Sequence, residues 1–332
     1  MIKDHRWGLV LAGGGGKGAY QIGVLQAMDE LGILEQVDVI SGSSIGALNA
    51  LLLTQKDKKK RNAIWDSIGV EQVFSTESEK EDLFDELRRV FSSITEYIGS
   101  ATLQEYLKLG RTEGICSRNG LLDIIEKNID FQQVFDYEKE IIVTIAKMEN
   151  GTPKAEYISL KGKTKEEVIA LVLASSALPV IYDAQEIDGV LYRDGGIADN
   201  VPRKPVLEKG LDHLFVIQHT HGKVVLSKIE DGKGHEILIR PSHEIGEFLD
   251  GTIDFSKDGI CYRKALGYYD GLCVFREQKR IEEGRGSRPI DFQLQMLENH
   301  ERAKSECKKN QLEDQVAKHL QEFQKYEHYY DK

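Results

Sequence analysis

The segment Trp7-Gly8-Leu9-Val10-Leu11-Ala12 followed by Gly13-Gly14-Gly15-Gly16-Lys17-Gly18 constrains the fold of this chain more than any other stretch. A short continuous apolar run is the pattern of a strand covered on both faces, and parallel strands are buried that way. The glycines end the strand. An apolar-faced helix follows, with Gly32 placed to stop it. A second strand is predicted over 37–40, a corner over 42–46 and a very apolar helix over 47–53. This β-α-β-α order predicts an α/β layer architecture with a mostly parallel central sheet.

Residues 54–136 are charged and helix-prone, and within them Phe84, Leu87, Phe91, Ile94 and Ile98 recur at helical spacing. That stripe reads as a helix packed on the body, or as a mobile cap whose apolar face meets lipid. Strands return over 140–147 and 155–160, separated by the hairpin dipeptide Asn150-Gly151. Thr164 and Glu167 form a capping box ahead of a helix over 168–175. A turn at 187–189, a short helix between Pro202 and Gly210, and strands over 214–218 and 236–240 follow. From Phe292 onward acids and bases balance around sparse apolar points, predicting a solvated terminal helix or a partner-binding arm. The expected units are a body over 7–218, with a helical insertion over about 55–136, and a C-terminal extension over 219–332.

A formal net charge of −11 argues against nucleic acid as a partner, since phosphate neutralisation needs clustered Lys and Arg. The N-terminus has no signal-peptide pattern, and the longest apolar stretch, 168–181, is too short to span a bilayer and contains Pro179. A cytoplasmic or membrane-peripheral protein is expected. Cys116, Cys261, Cys273 and Cys307 are scattered without a CxxC pair and are expected to be reduced.

Backbone amides at a strand-to-helix corner bind negative charge, and three chemistries use such corners. A phosphate loop needs Ser or Thr after its lysine, whereas Gly18 follows Lys17. A dinucleotide fingerprint is satisfied by Gly13, Gly15 and Gly18. However, the acid that would bind ribose, Asp38, lies near the start of the second strand instead of its end. The third use is an oxyanion hole, which needs a nucleophile nearby. Ser44, in Gly42-Ser43-Ser44-Ile45-Gly46, follows the neighbouring strand and reaches the same sheet edge.

The glycine loop, the Gly42–Gly46 corner and Asp194-Gly195-Gly196 together resemble the patatin-like phospholipase family, in the family's order and with matching flanks at 174–179 and 199–202. The resemblance covers residues 7–218. It implies a three-layer α/β/α patatin-like fold with a helical cap and a serine lipid acyl hydrolase that needs no metal or cofactor. Ser44 and Asp194 would be the catalytic dyad. Gly13, Gly14, Gly15 and Gly16 would form the oxyanion hole, with Lys17, Gly18, Gly42, Gly46, Gly195 and Gly196 as supporting motif residues. The implied partner is a lipid or acyl ester, with peripheral membrane contact and self-association through the C-terminal helix as further expectations.

Two alternatives stay open. His219 and His221 follow Asp194, so a Ser-His-Asp triad is available by chain order. A catalytically silent member of the fold that binds lipid or protein is the other. A zinc motif at His243 fails, because Glu247 stands where HExxH requires histidine.

Overall fold

A computed structural model describes residues 5–74, 114, 116–149, 151–179, 181–211, 213–228 and 234–330. The expected stripe from Phe84 to Ile98 lies outside the described residues. The chain opens with β1 (Trp7–Leu11), α1 (Gly18–Glu30), β2 (Val37–Ser43) and α2 (Ile45–Leu52). Helices α3 (Lys58–Ser67), α4 (Val70–Val73), α5 (Asn119–Asn128) and α6 (Phe131–Phe135) occupy the described part of the insertion. Then come β3 (Glu140–Glu149), β4 (Thr152–Ser159), α7 (Lys165–Ser175), β5 (Gln185–Ile187), β6 (Val190–Asp194) and α8 (Lys204–Leu207). The last elements are β7 (His213–Ile217), β8 (Val225–Lys228), β9 (His235–Ile239), α9 (Lys257–Glu282) and α10 (Pro289–Tyr330).

One sheet runs in the order β5-β6-β3-β2-β1-β7-β9-β8, with β4 also paired to β3. The five central strands, β3 to β9 in that order, are parallel, and the outer pairings are antiparallel. β8 and β9, beyond residue 218, extend the same sheet.

Side chains alternate across these strands as a two-residue period requires. Leu9, Leu11, Phe215, Ile217, Ile237 and Ile239 enter the main core, while Val10, Leu214, Val216 and Leu238 face a much smaller one. The two outer layers are therefore unequal. α1, α2 and α9 belong to the thick side, whereas the small core includes Val206 of the short α8 and Leu211. Local signals behave as their chemistry dictates: Thr164 caps α7 with the reciprocal Glu167 bond, and Asp188 and Gly189, at φ 50° and 76°, turn β5 into β6.

The expectation of four reduced thiols is corrected for two of them. Cys261 of α9 and Cys307 of α10 form a disulfide across 46 residues of sequence, leaving Cys116 and Cys273 free. Sequence spacing cannot reveal this pair, because packing of two long helices brings it together.

Candidate active site

In a sheet of this kind, ligands sit outside the carboxyl ends of the parallel strands, where neighbouring strands lead away in opposite directions. β1 is that point here, with β2 on one side and β7 on the other. The loop after β1 carries the glycines, the turn after β2 carries Ser44, and the segment after β7 carries His219.

Ser44 adopts φ 53° and ψ −124°, a conformation that strains any residue with a side chain, at a cost of about 1–3 kcal/mol. The turn is sharp because α2 starts at the next residue. Its flanking glycines are needed for close approach: a methyl group on Gly42 would lie 2.4 Å from the Gly46 carbonyl oxygen, and one on Gly46 would lie 2.2 Å from that of Leu11. Ser175, at the end of α7, holds the turn. Its Oγ accepts from the Ser44 amide at 2.8 Å and donates to the Thr144 carbonyl at 2.7 Å.

Sheet register brings the second group in. Ser43 pairs with Thr144, and Ile145 pairs with Asp194 at the end of the antiparallel β6. The serine and the carboxylate thus leave the same edge of the sheet on strands separated only by β3, and the Ser44 Oγ donates to Asp194 Oδ2 at 2.6 Å. The other carboxylate oxygen accepts the Gly196 amide at 2.7 Å, from the single turn that Gly195 and Gly196 begin. Asp194 is 3% exposed. Burial pushes its carboxyl up from 3.8 to about 6, against the two hydrogen bonds that favour the charged form.

The glycine loop lies alongside. A methyl group on Gly13 would be 3.1 Å from Cβ of Ser44. Gly13 is fixed on both sides of its peptide unit: its amide donates to the Asn200 carbonyl at 3.1 Å, and its carbonyl accepts from Asn200 Nδ2 at 3.3 Å and lies 3.0 Å from His219 Nδ1. Among the described residues, no protein acceptor takes the amides of Gly14 and Gly15. Gly15 sits at φ 54° against the Thr252 carbonyl, so only glycine fits. Gly18 opens α1, and Lys17 just before it lines the same cavity. Burial and then the nearby Arg263 lower the Lys17 pKa, opposed by Asp250 and Glu247.

All of this opens into a cavity of about 710 Å³. Ser44, Asp194, Gly13, Gly14, Gly15 and Lys17 line it, together with apolar groups from α2, α4 and α5, including Leu48, Val73, Phe74, Leu121 and Ile124. His219, Glu244, Glu247 and Phe248 line it from the C-terminal part.

The histidines expected as triad candidates are not hydrogen-bonded to Ser44. His219 bonds to Gly13, and burial lowers its pKa to about 4, leaving a neutral ring. The His221 Nε2 lies 3.1 Å from the Ser242 carbonyl. His243 stacks on His300 at 4.1 Å. Sequence reasoning assigned no role to Asn200 or Ser175, although both lie in segments quoted for the family resemblance.

The chain matches the model of the patatin-like phospholipase family over residues 9–207, more than half its length. It belongs to that family. Among curated relatives, Lysophospholipase nte1 of Aspergillus terreus is 25% identical over 210 residues, or 63% of this chain and 12% of the relative. Lysophospholipase NTE1 of Cryptococcus neoformans var. neoformans serotype D is 28% identical over 210 residues, 63% of this chain and 11% of the relative. The chain therefore spans only about an eighth of the length of these relatives. VipD from Legionella pneumophila, a solved structure, is similar with a TM-score of 0.48 at 15% identity, over 96% of this chain and 77% of that one.

Proposed function

We propose that this patatin-like chain is a serine lipid acyl hydrolase using a Ser44–Asp194 dyad. The single observation that carries the reading is the 2.6 Å hydrogen bond from a strained, partly exposed serine hydroxyl to a buried carboxylate, beside the amides of Gly14 and Gly15, which have no acceptor among the described residues. Above its pKa the Asp194 carboxylate takes the Oγ proton as Ser44 attacks the ester carbonyl, a role normally worth about 10²–10⁴ in rate. The developing oxyanion is received by the amides of Gly14 and Gly15, each such donor contributing on the order of 10²–10³; the Gly13 amide, expected among the donors, is taken by the Asn200 carbonyl. The alcohol leaves with the proton. Water activated by the same carboxylate then releases the fatty acid from Ser44. The Gly196 amide keeps Asp194 aimed throughout.

The apolar wall from α2, α4 and α5 suits an acyl chain, and the polar wall at Lys17, His219 and Glu244 suits the alcohol part. Together they support a lipid monoester or lysophospholipid as the substrate class, in keeping with the names of the relatives above. Peripheral contact with a lipid surface belongs to the same proposal. Among the described residues, no helix is long and apolar enough to cross a membrane.

The test is hydrolysis of p-nitrophenyl acyl esters. Ser44→Ala and Asp194→Asn are each expected to abolish it, and a fluorophosphonate is expected to label wild-type protein only at Ser44. Full activity in either variant rejects the dyad.

A further inference from the structure

A buried cation outside residues 9–207 reaches the glycine loop. Arg263, in the second turn of α9, is 2% exposed. A guanidinium carries five N–H donors, and burying it is tolerable only when they are satisfied. Each of the five has an acceptor. Nε donates to the Ile245 carbonyl at 3.2 Å, and Nη1 to the carbonyls of Asp254 at 2.8 Å and Gly16 at 3.5 Å. Nη2 donates to the Asp250 carbonyl at 2.9 Å and to the Asp254 carboxylate.

Four of these acceptors belong to one segment, residues 245–254, and the fifth belongs to the glycine loop. That segment has no strand partner and contains a single π-helical turn, Phe248–Thr252. It is pressed onto the loop: methyl groups on Gly15 and Gly16 would lie 2.0 and 2.1 Å from the carbonyl oxygens of Thr252 and Asp254. A run of glycines has no side chains with which to lock itself. Asn200 and His219 secure the loop at Gly13, Asn49 Nδ2 donates to the Gly18 carbonyl at 3.1 Å where α1 begins, and Arg263 reaches the stretch between them at Gly16.

We propose that Arg263 is a positioning residue for ester hydrolysis, clamping segment 245–254 against the glycine loop so that the amides of Gly14 and Gly15 stay at oxyanion distance. The inference rests on the function proposed above. Oxyanion donors work at about 2.7–3.1 Å, and a misplacement of about 1 Å can lower the rate on the order of 10²-fold. Lysine cannot replace the fork, because an ammonium has three donors and no planar geometry.

The experiment measures kcat and KM of the full chain on p-nitrophenyl butyrate for Arg263→Lys, Arg263→Gln and Asp254→Asn. Ser44→Ala serves as the blank, and melting curves verify the fold. For both Arg263 variants kcat is expected to fall on the order of 10²-fold while KM changes by less than about threefold, with fluorophosphonate labelling slowed in parallel. Asp254→Asn, which keeps the arginine and removes one charged partner, is expected to lower kcat by roughly threefold to tenfold at constant KM. Wild-type kcat in folded Arg263 variants overturns the inference alone, as does an unchanged kcat in Asp254→Asn should the arginine variants not fold. A loss expressed mainly in KM overturns it too. Ester hydrolysis that survives Ser44→Ala overturns the proposed function and this inference together.

Discussion

Replacing Asp194 by asparagine is expected to inactivate the protein and stabilise it at the same time. Burial raises the folded-state pKa of Asp194 from 3.8 to about 6, so the fold prefers the protonated acid. The sign follows from linkage: a carboxyl with a raised folded pKa favours folding relative to its ionised form only at low pH, and that advantage disappears as pH rises through about 6. At 1.36 kcal/mol for each pKa unit, the ionised carboxylate costs the folded state roughly 3 kcal/mol near pH 8. The same relation leaves only about half a kcal/mol near pH 4, where the unfolded carboxyl is itself only partly ionised. Asparagine is isosteric, and its amide can still accept from Gly196 and face the Ser44 hydroxyl. The assay is urea denaturation of wild type and Asp194→Asn between about pH 4 and pH 8. Asp270, another buried acid with a pKa raised to about 6, is present in both proteins and cancels in the difference. The expected excess stability of the variant rises with pH towards roughly 3 kcal/mol. A variant equal to or weaker than wild type near pH 8 refutes the reasoning, because the carboxylate would then be repaid in full by its hydrogen bonds.

In the pH profile, kcat/KM for a neutral ester is expected to fall below about pH 6, by about tenfold for each unit once Asp194 is protonated. An acid limb unchanged from that of the uncatalysed ester would contradict this. Ile124→Trp, on the apolar wall from α5, is expected to lower kcat/KM for a long-chain ester on the order of tenfold and leave the butyrate ester nearly unchanged. Equal losses on both esters would place the acyl chain elsewhere. Under denaturing, non-reducing conditions two of the four cysteines are expected to titrate as thiols, and four after reduction. By loop-closure entropy the Cys261–Cys307 bond stabilises by about 4 kcal/mol for its 46-residue separation, so Cys307→Ala is expected to melt lower.

The central strands and the site motifs were legible because both are local. An apolar run ending in glycines, a serine between glycines and a capping box each act within one turn of chain, and β1, Ser44 and α7 formed accordingly. β8 was missed: four residues at a sheet edge, Val225–Lys228, lack the alternation that marks a half-buried strand. The disulfide and the Arg263 clamp depend on how α9 packs, which no short window of sequence contains. One signal was nevertheless present. Arg263, Asp270 and Glu277 recur every seven residues on the buried face of α9, and charges at core positions imply partners waiting there. Asp270 meets Tyr20, the Ser242 amide and Asn299, and Glu277 meets Ser287.

Helix α9 therefore ties the edge of the candidate site to the C-terminal part. The strained Ser44 and the buried Asp194, whose carboxyl burial pushes up to about 6, are each locally unfavourable, and neither would persist in an isolated turn. What holds them is the register of β2, β3 and β6, which the family-matched region supplies. The glycine loop differs, because besides Asn200 and Asn49 it is contacted at Gly16 from outside that region by Arg263. In the proposed mechanism the residues of the dyad and Arg263, which would aim the oxyanion donors, thus lie in different parts of the chain. On that proposal a change confined to α9 is expected to alter turnover while leaving Ser44 and Asp194 in contact.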